Sequence, residues 1–145
     1  MKATLDRPRT VLGFDFGLSR IGIAVGQELT ATARPLTTLL SQQQRPDWHA
    51  IERIIQEWQP DLAIVGVPYH ADGSANQITT AAQRFSRQLA GRYGLAVDTI
   101  DERLSSVAAE AFIAQAEQHK QRRRRDRNTI DQVAAALILE SWFNR

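Results

Sequence analysis

The sequence predicts an α/β fold in which one mixed five-stranded sheet carries helices on both faces. Three short stretches of β-compatible residues follow one another closely in the first 40 positions, as in an antiparallel meander. Beyond them, apolar stretches alternate with segments of helical period, as in βαβ units. The 145 residues show no internal repeat and no marked linker, so residues 1–145 are predicted to form a single domain.

The predicted meander consists of strands at residues 10–17, 20–26 and 30–38. The first strand reads TVLGFDFG and the second reads RIGIAVG, and the connection between them is short. The third strand contains Pro35, which cannot donate a hydrogen bond to a neighbouring strand. We therefore expect Pro35 at the edge of the sheet or at a strand end. We expect the first strand near the centre, beside the later parallel strands.

Helices and strands alternate in the rest of the predicted fold. A helix at residues 48–58 places apolar residues at i, i+3, i+4 and i+7 from Ile51, and Asp47 can cap its first turn. A strand at 61–68 is continuously apolar, as expected for a strand that is buried on both faces. The remaining predicted elements are a helix at 76–93, a strand at 95–101 and helices at 105–118 and 129–143.

The formal net charge of +2 is unevenly distributed along the chain. Residues 120–127 read KQRRRRDR, with six basic residues against one acid, so the rest of the chain is net negative. Arginine suits bidentate contacts with phosphates because its guanidinium is planar. We predict residues 119–128 to be a solvated, mobile segment that binds nucleic acid through its phosphates. The alternative is a segment that only separates two helices.

Composition also excludes several classes of protein. The absence of cysteine excludes a disulfide framework, a thiolate metal site and a cysteine nucleophile. The longest apolar run, residues 133–139, is far shorter than the roughly 20 residues that a membrane span needs. The N-terminal residues MKATLDRPRT lack the apolar stretch of a signal peptide. We therefore expect a cytoplasmic protein without a membrane partner.

Four acids occur where the ends of predicted elements can meet. Asp15 lies near the end of the first strand, Asp101 and Glu102 end the fifth, and Asp131 lies in the first turn of the last helix. Functional groups gather at the carboxyl ends of parallel strands. Carboxylates that converge there repel one another unless a cation compensates. Oxygen ligands favour Mg²⁺ or Mn²⁺, and one or two such ions would support phosphodiester hydrolysis.

Structural roles are open alternatives for most of these acids. Asp131 could be a charge that the helix dipole favours, and Asp101 or Glu102 could pair with Arg103. Asp15 differs from them, because it lies between two phenylalanines and has no evident local partner.

The segment VGVPYHADGS, residues 65–74, leaves the fourth strand at its carboxyl end. Asp72 and Gly73 form a turn signal, and the residues after them can cap the next helix. An ordinary connection between a strand and a helix explains the segment equally well. His70 is a candidate acid–base group, although a lone histidine in a loop is more often only solvated.

Four segments occur in order along the chain: GFDFGLSRIGIAVG, VGVPYHADGS, DERLSS and IDQVAAALILESWF. Together, over residues 10–143, they resemble the YqgF family, also called RuvX, of bacterial ribonuclease H-like nucleases. The resemblance implies a ribonuclease H-like fold. The family is described as a nuclease that acts at the 5′ end of pre-16S ribosomal RNA in ribosome biogenesis, and older descriptions make it a Holliday junction resolvase.

The resemblance also implies roles for individual residues. The first-strand aspartate of the family falls on Asp15, the acid of its DER motif on Glu102, and the aspartate of its last helix on Asp131. These three would be catalytic and would hold one or two Mg²⁺ or Mn²⁺ ions. The loop motif of the family falls on the residues Pro68, Asp72 and Gly73.

Our hypothesis from the sequence is metal-dependent hydrolysis of phosphodiester bonds. Few aromatic residues are free for base stacking, so we expect recognition of phosphates and shape rather than of sequence. Pre-16S rRNA, alone or in ribosomal particles, is the expected partner. Branched DNA is the alternative and would require a symmetric dimer, whereas we expect a monomer or weak dimer. The residues expected to hold the backbone are Arg20, Arg103, Arg122, Arg123, Arg124, Arg125 and Arg127.

Two other functions stay open at this point. The run DFGLSRIGIA also resembles the first phosphate loop of actin-like and sugar-kinase ATPases, but those proteins need two such domains to enclose a nucleotide. The non-enzymatic alternative is an RNA-binding factor in ribosome assembly that has kept the fold and does not cleave. The presence of all three acids argues against that alternative.

Overall fold

The structure, a computed structural model, describes residues 8–69, 72–102 and 127–145. The helix predicted at 105–118 and most of the predicted basic segment lie outside the described residues. The strands are β1 (Thr10–Phe16), β2 (Arg20–Gln27), β3 (Thr32–Leu40), β4 (Leu62–Val67) and β5 (Val97–Asp101), and the helices are α1 (Trp48–Trp58), α2 (Gln77–Tyr93) and α3 (Arg127–Phe143).

The five strands form one mixed sheet in the order β3-β2-β1-β4-β5. β2 pairs antiparallel with both β1 and β3, whereas β4 pairs parallel with both β1 and β5. The central position of β1 and the edge position of Pro35 are both as the sequence predicts. All six residues of β4 are buried, as predicted for a strand that is covered on both faces.

The bounds of β3 differ from the prediction by two residues at each end. The hairpin before it turns at Glu28–Ala31, where the Ala31 amide donates to the Glu28 carbonyl at 3.1 Å. Ala31 has a φ of 54°, in the left-handed region. No glycine or asparagine marks this position, and therefore the local sequence does not signal where the turn ends.

The helices cover the two faces of the sheet with different kinds of side chain. α1 and α2 pack on the face that presents Phe14 and Phe16, and the Phe14 ring lies 5.5 Å from that of Phe85 in an edge-to-face contact. α3 packs on the other face, mainly against β1, β2 and β3, through alanines, aliphatic side chains and the aromatic residues Trp142 and Phe143 near its end. The sheet therefore lies between two separate cores, as the predicted fold class requires.

The helix ends follow signals in the sequence at α1 and α2. The Asp47 side chain accepts a hydrogen bond from the Ala50 amide at 3.1 Å, and Asn76 forms a capping box with Thr79. α3 begins at Arg127, two residues before its predicted start, so it includes the last residues of the predicted basic segment. Within the described residues, no helix is both long enough and apolar enough to span a membrane.

Candidate active site

Asp15 lies one residue before the carboxyl end of the central strand β1. Side chains alternate between the faces of a strand. Phe14 and Phe16 point into the core under α1 and α2, so Asp15 points to the face that α3 covers. In the sheet register, Asp15 pairs with Gly22 of β2 on one side and with Gly66 of β4 on the other. The carboxyl group is thus flanked by two residues without side chains.

These two glycines allow the other acids to approach Asp15. A Cβ atom at Gly22 would collide with the backbone carbonyl of Asp131 in α3. A Cβ atom at Gly66 would lie 2.5 Å from Cδ1 of Ile138 and 3.5 Å from the carboxyl carbon of Glu102. Sequence reasoning missed both glycines, although an isolated glycine within a strand pattern is typical of a close backbone approach.

Glu102 follows the last residue of β5 and is held there by the parallel pairing with β4. Its amide donates to the carbonyl of Val67 at 3.0 Å, and its Oε1 atom is buried. Asp101 lies in the strand itself, beside a cavity of about 200 Å³ that is also lined by Val67, Tyr69 and Gly73. Val67 belongs to the core under α1 and α2. Asp101 therefore borders the opposite face, and Glu102 is the acid of this pair that joins Asp15.

The pKa of the Asp15 carboxyl is raised well above its ordinary value. Burial is the main cause, because it penalises the charged form. Glu102 adds Coulomb repulsion and a hydrogen bond with Asp15, Asp131 adds further repulsion, and Arg20 acts in the opposite direction. The three acids that the sequence singled out therefore share one electrostatic environment.

Asp131 is held in an ion pair with Arg20. Nε of Arg20, the first residue of β2, donates to Oδ2 of Asp131 at 2.6 Å, and the two side chains are 32% and 17% exposed. Asp131 is the fifth residue of α3, and the first turn of that helix contains no acid. The prediction that Asp131 lies in the first turn of the last helix is therefore wrong. The helix-dipole alternative for Asp131 loses support for the same reason.

The predicted role of Arg20 in backbone binding stays a prediction. The guanidinium carries five N–H donors, and its hydrogen bond from Nε to Asp131 uses one of them. A phosphate contact by the same guanidinium is therefore compatible with this ion pair.

The carboxylates are the right type of ligand for a divalent cation, but their present positions do not form a coordination site. In the part of the chain that the structure describes, no group of three or more His, Asp or Glu side chains stands ready to hold a metal ion. The reason is that one oxygen of Asp131 faces Arg20, while Asp15 and Glu102 face each other. Mg²⁺ and Mn²⁺ prefer such oxygen donors. The raised pKa of Asp15 indicates that the site favours added positive charge.

The loop after β4 is fastened to the start of α2. The Pro68 carbonyl accepts a hydrogen bond from Oγ1 of Thr79. Oδ1 of Asp72 accepts from the amide and the hydroxyl of Ser74 at 2.9 and 2.7 Å, and Gly73 has a φ of 92°. These contacts are those of a turn stabilised by an aspartate. They support the turn interpretation, and a role of this loop in RNA binding stays a prediction.

Most of the other predicted nucleic-acid contacts are not among the described residues. Arg103 and Arg122 to Arg125 lie in the undescribed segment 103–126, and the candidate His70 lies in the separate undescribed pair 70–71. Arg127 is the first residue of α3, and its backbone lies about one helical turn before Asp131. The end of the basic segment is thus attached directly to the helix that carries a candidate ligand.

Comparison with known sequences identifies close relatives along nearly the whole chain. Residues 9–145 match the family model described as "RuvX: Holliday junction resolvase". A protein of Nitrosococcus oceani is 50% identical over 148 residues, which cover 99% of this chain and 95% of the relative. A protein of Proteus mirabilis is 47% identical over 137 residues, which cover 94% and 96%. Both relatives carry the name "Putative pre-16S rRNA nuclease".

Solved structures similar to this chain belong to junction resolvases. T. thermophilus RuvC in complex with a Holliday junction substrate matches with a TM-score of 0.53 at 18% identity, over 94% of each chain. The fowlpox virus resolvase in complex with Holliday junction DNA matches with a TM-score of 0.53 at 13% identity, over 93% of this chain and 97% of the resolvase. At such low identity the similarity shows a shared fold, and it confirms the ribonuclease H-like class predicted above.

Proposed function

The chain belongs to the RuvX family, and on that premise we propose that it hydrolyses phosphodiester bonds at the 5′ end of pre-16S ribosomal RNA. The names of the relatives at 50% and 47% identity support this substrate. The proposal places the protein in the cytoplasm, where it would act on the RNA precursor within ribosomal particles. It would act as a monomer or weak dimer, because a cut in a single strand needs no symmetric partner.

The observation that carries the proposal is the position of Asp15 between Gly22 and Gly66, facing Glu102 and Asp131. Three carboxylates from the first strand, the last strand and the last helix come together on one face of the sheet. Burial, with added repulsion from Glu102 and Asp131, raises the pKa of Asp15, and this cost has no evident benefit to the fold. Sites that store such repulsion are commonly functional.

Asp15, Glu102 and Asp131 would hold one or two Mg²⁺ or Mn²⁺ ions. Such an ion would supply a hydroxide nucleophile at neutral pH and stabilise charge on the leaving oxygen. The carboxylates would orient the reacting groups. Arg20 pairs with Asp131 through Nε, and its remaining donors would hold a phosphate oxygen of the RNA.

The direct test is cleavage of a 5′-extended pre-16S RNA fragment with Mn²⁺, with Mg²⁺ and with EDTA. We expect the wild type to cleave only with a divalent ion, and Asp15→Asn to be slower by more than about 100-fold, because loss of outer-shell partners alone costs 10–100-fold. Asp47→Asn is the matched control, since asparagine caps a helix as well as aspartate does. Equal cleavage by wild type and Asp15→Asn would refute the site.

A four-way DNA junction belongs in the same assay, because the description of the matched family model names a junction resolvase. Symmetric cleavage of the junction requires two active sites in one particle. We expect slow or no junction cleavage and a solution mass near that of one chain. Faster cleavage of the junction than of the RNA, by a dimer, would favour the resolvase function.

The non-catalytic alternative is separated from the proposal by a rescue experiment. Cells that lack the protein should accumulate 16S precursor with a 5′ extension, and a wild-type copy should remove it. An Asp15→Asn copy should fail to do so. Full rescue by Asp15→Asn would favour a role in binding alone.

A further inference from the structure

A groove runs between the start of α1 and the exposed side of α2, on the face of the sheet opposite the acids. Its volume is about 670 Å³, and three of its lining residues are arginines, Arg45, Arg84 and Arg92. The described residues that line it include no aspartate or glutamate. Its polar lining comes mainly from glutamine and threonine side chains, which can donate hydrogen bonds.

The charge of α2 has one sign along its whole length. Residues 77–93 contain three arginines and no acid, and residues 73–97 around them contain no acid either. In contrast, α1 carries Glu52 and Glu57 against Arg53. The groove therefore has a positive wall that is not neutralised within its own helix, although the described chain as a whole mixes both signs.

One arginine of the groove is held in place by stacking. The guanidinium carbon of Arg92 lies 4.2 Å from the ring centroid of Trp48, and the Trp48 ring also stacks on Phe85 at 5.4 Å and 24°. A guanidinium that packs over a ring loses freedom before a ligand arrives, and its several N–H donors can contact an anion. This wall is therefore partly organised before any ligand binds.

The groove begins beside the candidate active site. Phe16 and Leu18 line it, and Phe16 follows Asp15 in the sequence on the opposite face of the sheet. A nucleic-acid strand cut at Asp15 can therefore pass over the carboxyl end of β1 and continue into the groove. No acid among the described lining residues would repel its phosphates.

We propose that this groove binds the phosphate backbone of the RNA that flanks the scissile bond. The inference rests on the proposed nuclease function, and it adds a contact surface made of residues other than those of the basic segment 119–128. Because the groove offers arginine and glutamine donors rather than free aromatic faces, it contacts the RNA without reading its sequence. Longer substrates gain affinity from it and short ones do not.

The test compares two double variants that remove the same charge. Arg45→Gln with Arg84→Gln removes two exposed arginines of the groove, and Arg92 is left intact because it packs on Trp48. Arg53→Gln with Arg87→Gln removes two exposed arginines of α1 and α2 that do not line the groove. Thermal melting of both variants checks that the fold is unchanged.

Binding is measured by fluorescence anisotropy in EDTA, which prevents cleavage, over a series of salt concentrations. The probes are a labelled RNA hairpin with a 5′ single-stranded extension of 20 nucleotides and a labelled RNA of six nucleotides. We expect the groove variant to bind the long RNA about 10-fold more weakly, with a salt slope smaller by about 1–2. The control variant should change by less than about 2-fold, and both variants should bind the short RNA as the wild type does.

Wild-type affinity of the groove variant for the long RNA would overturn the inference, and so would equal weakening in the control variant or on the short RNA. The outcome is independent of the cleavage assay. A groove-specific loss of binding in a protein that does not cleave RNA would refute the proposed function and leave the groove standing. Normal cleavage of RNA without any effect of the groove variant on binding would support the proposed function and refute the groove.

Discussion

On the face covered by α1 and α2, strand β1 presents Phe14 and Phe16 to a core of large side chains, whereas on the face covered by α3 the same strand presents Gly13 and Asp15. The first face buries apolar area, and Phe85 contacts both phenylalanines there. On the second face, β1 itself presents little side-chain volume at Gly13. The backbone of α3 can therefore approach the sheet closely there. The comparison teaches that both faces of the sheet carry a core, whereas the three acids of the candidate site lie on the face that α3 covers.

The close approach of α3 depends on glycines in three adjacent strands. A Cβ atom at Gly13 would lie 2.5 Å from Cγ of Leu139, and one at Gly26 would lie 3.1 Å from the ring of Phe143. Gly22 and Gly66 meet Asp131 and Ile138 in the same way. α3 therefore lies in a channel along the sheet where these glycines carry no side chains. This channel lets Asp131 of α3 reach the site.

The largest effect on stability is expected on the aromatic face. Phe85 is 1% exposed and contacts Phe14, Phe16 and Trp48, so Phe85→Ala should lower the free energy of unfolding by about 3–5 kcal/mol. Urea denaturation measures this loss. Leu40→Ala, at a side chain that is 61% exposed, should change stability by less than about 0.5 kcal/mol. A loss below about 1 kcal/mol for Phe85→Ala would contradict the assignment of the main core to this face.

A smaller loss of stability but a complete loss of the site is expected at Gly22. Gly22→Ala forces the backbone of α3 away from β2 at Asp131, and we expect a loss of about 1–3 kcal/mol together with loss of RNA cleavage. Gly91→Ala is the control, because nothing lies within 4 Å of a Cβ at that helical position. It should be neutral or stabilise the protein by up to about 1 kcal/mol. Similar behaviour of the two variants in urea and in the cleavage assay would argue against the channel.

A gain in stability is expected from Asp15→Asn. Since the pKa of Asp15 is raised in the folded protein, folding favours its protonated form, and stability is lost as pH rises from the unfolded value of about 3.9 through the folded value. In EDTA at pH 7 the variant should therefore melt above the wild type, by roughly 2–4 °C for each kcal/mol of repulsion removed. The difference should narrow as the pH falls toward about 4.

Asp47→Asn should show no such gain, because Asp47 lies at the helix cap of α1, away from the other acids. A melting temperature of Asp15→Asn that is equal to or below that of the wild type at pH 7 would show that the carboxylates do not destabilise the fold.

The smallest expected effect concerns the ion pair between Arg20 and Asp131. Arg20→Gln frees the Asp131 carboxylate from its cation, so the site should bind Mn²⁺ more tightly by about 1.5- to 5-fold, the range of a partly exposed ion pair. Titration followed by the electron paramagnetic resonance of free Mn²⁺ measures this affinity. Weaker binding by the variant would show that Arg20 positions Asp131 as a ligand rather than competing for it.

Local patterns were sufficient to predict most of the fold. Alternation and apolar runs place the strands, and the proline in β3 predicts its edge position because it lacks a donor. The start of β3 after the turn at Ala31 and the start of α3 at Arg127 each differ from the prediction by two residues, and no glycine marks the turn at Ala31. Those boundaries are determined by packing against distant parts of the chain.

The candidate site also has a part that the sequence predicts and a part that it does not. The sequence predicts that Asp15 and Glu102 approach one another because both lie near carboxyl ends of strands in the parallel part of the sheet, and the structure brings them together across Gly66 of β4. The ion pair of Arg20 with Asp131 joins residues 111 positions apart, and no local pattern contains that information. The sequence therefore predicts which elements meet, but it does not predict which charge pairs with which.

The alternation of Phe14, Asp15 and Phe16 has a consequence for misfolding. A shift of one residue in the pairing of β1 would move the carboxylate into the aromatic core and turn a phenylalanine against α3. Burying a carboxylate among aromatic rings is costly, so a misaligned chain would not be stable. It would stay unfolded and be open to proteolysis rather than persist as a folded but inactive protein. The alternation that places Asp15 at the site therefore also selects the correct pairing of β1 in the sheet.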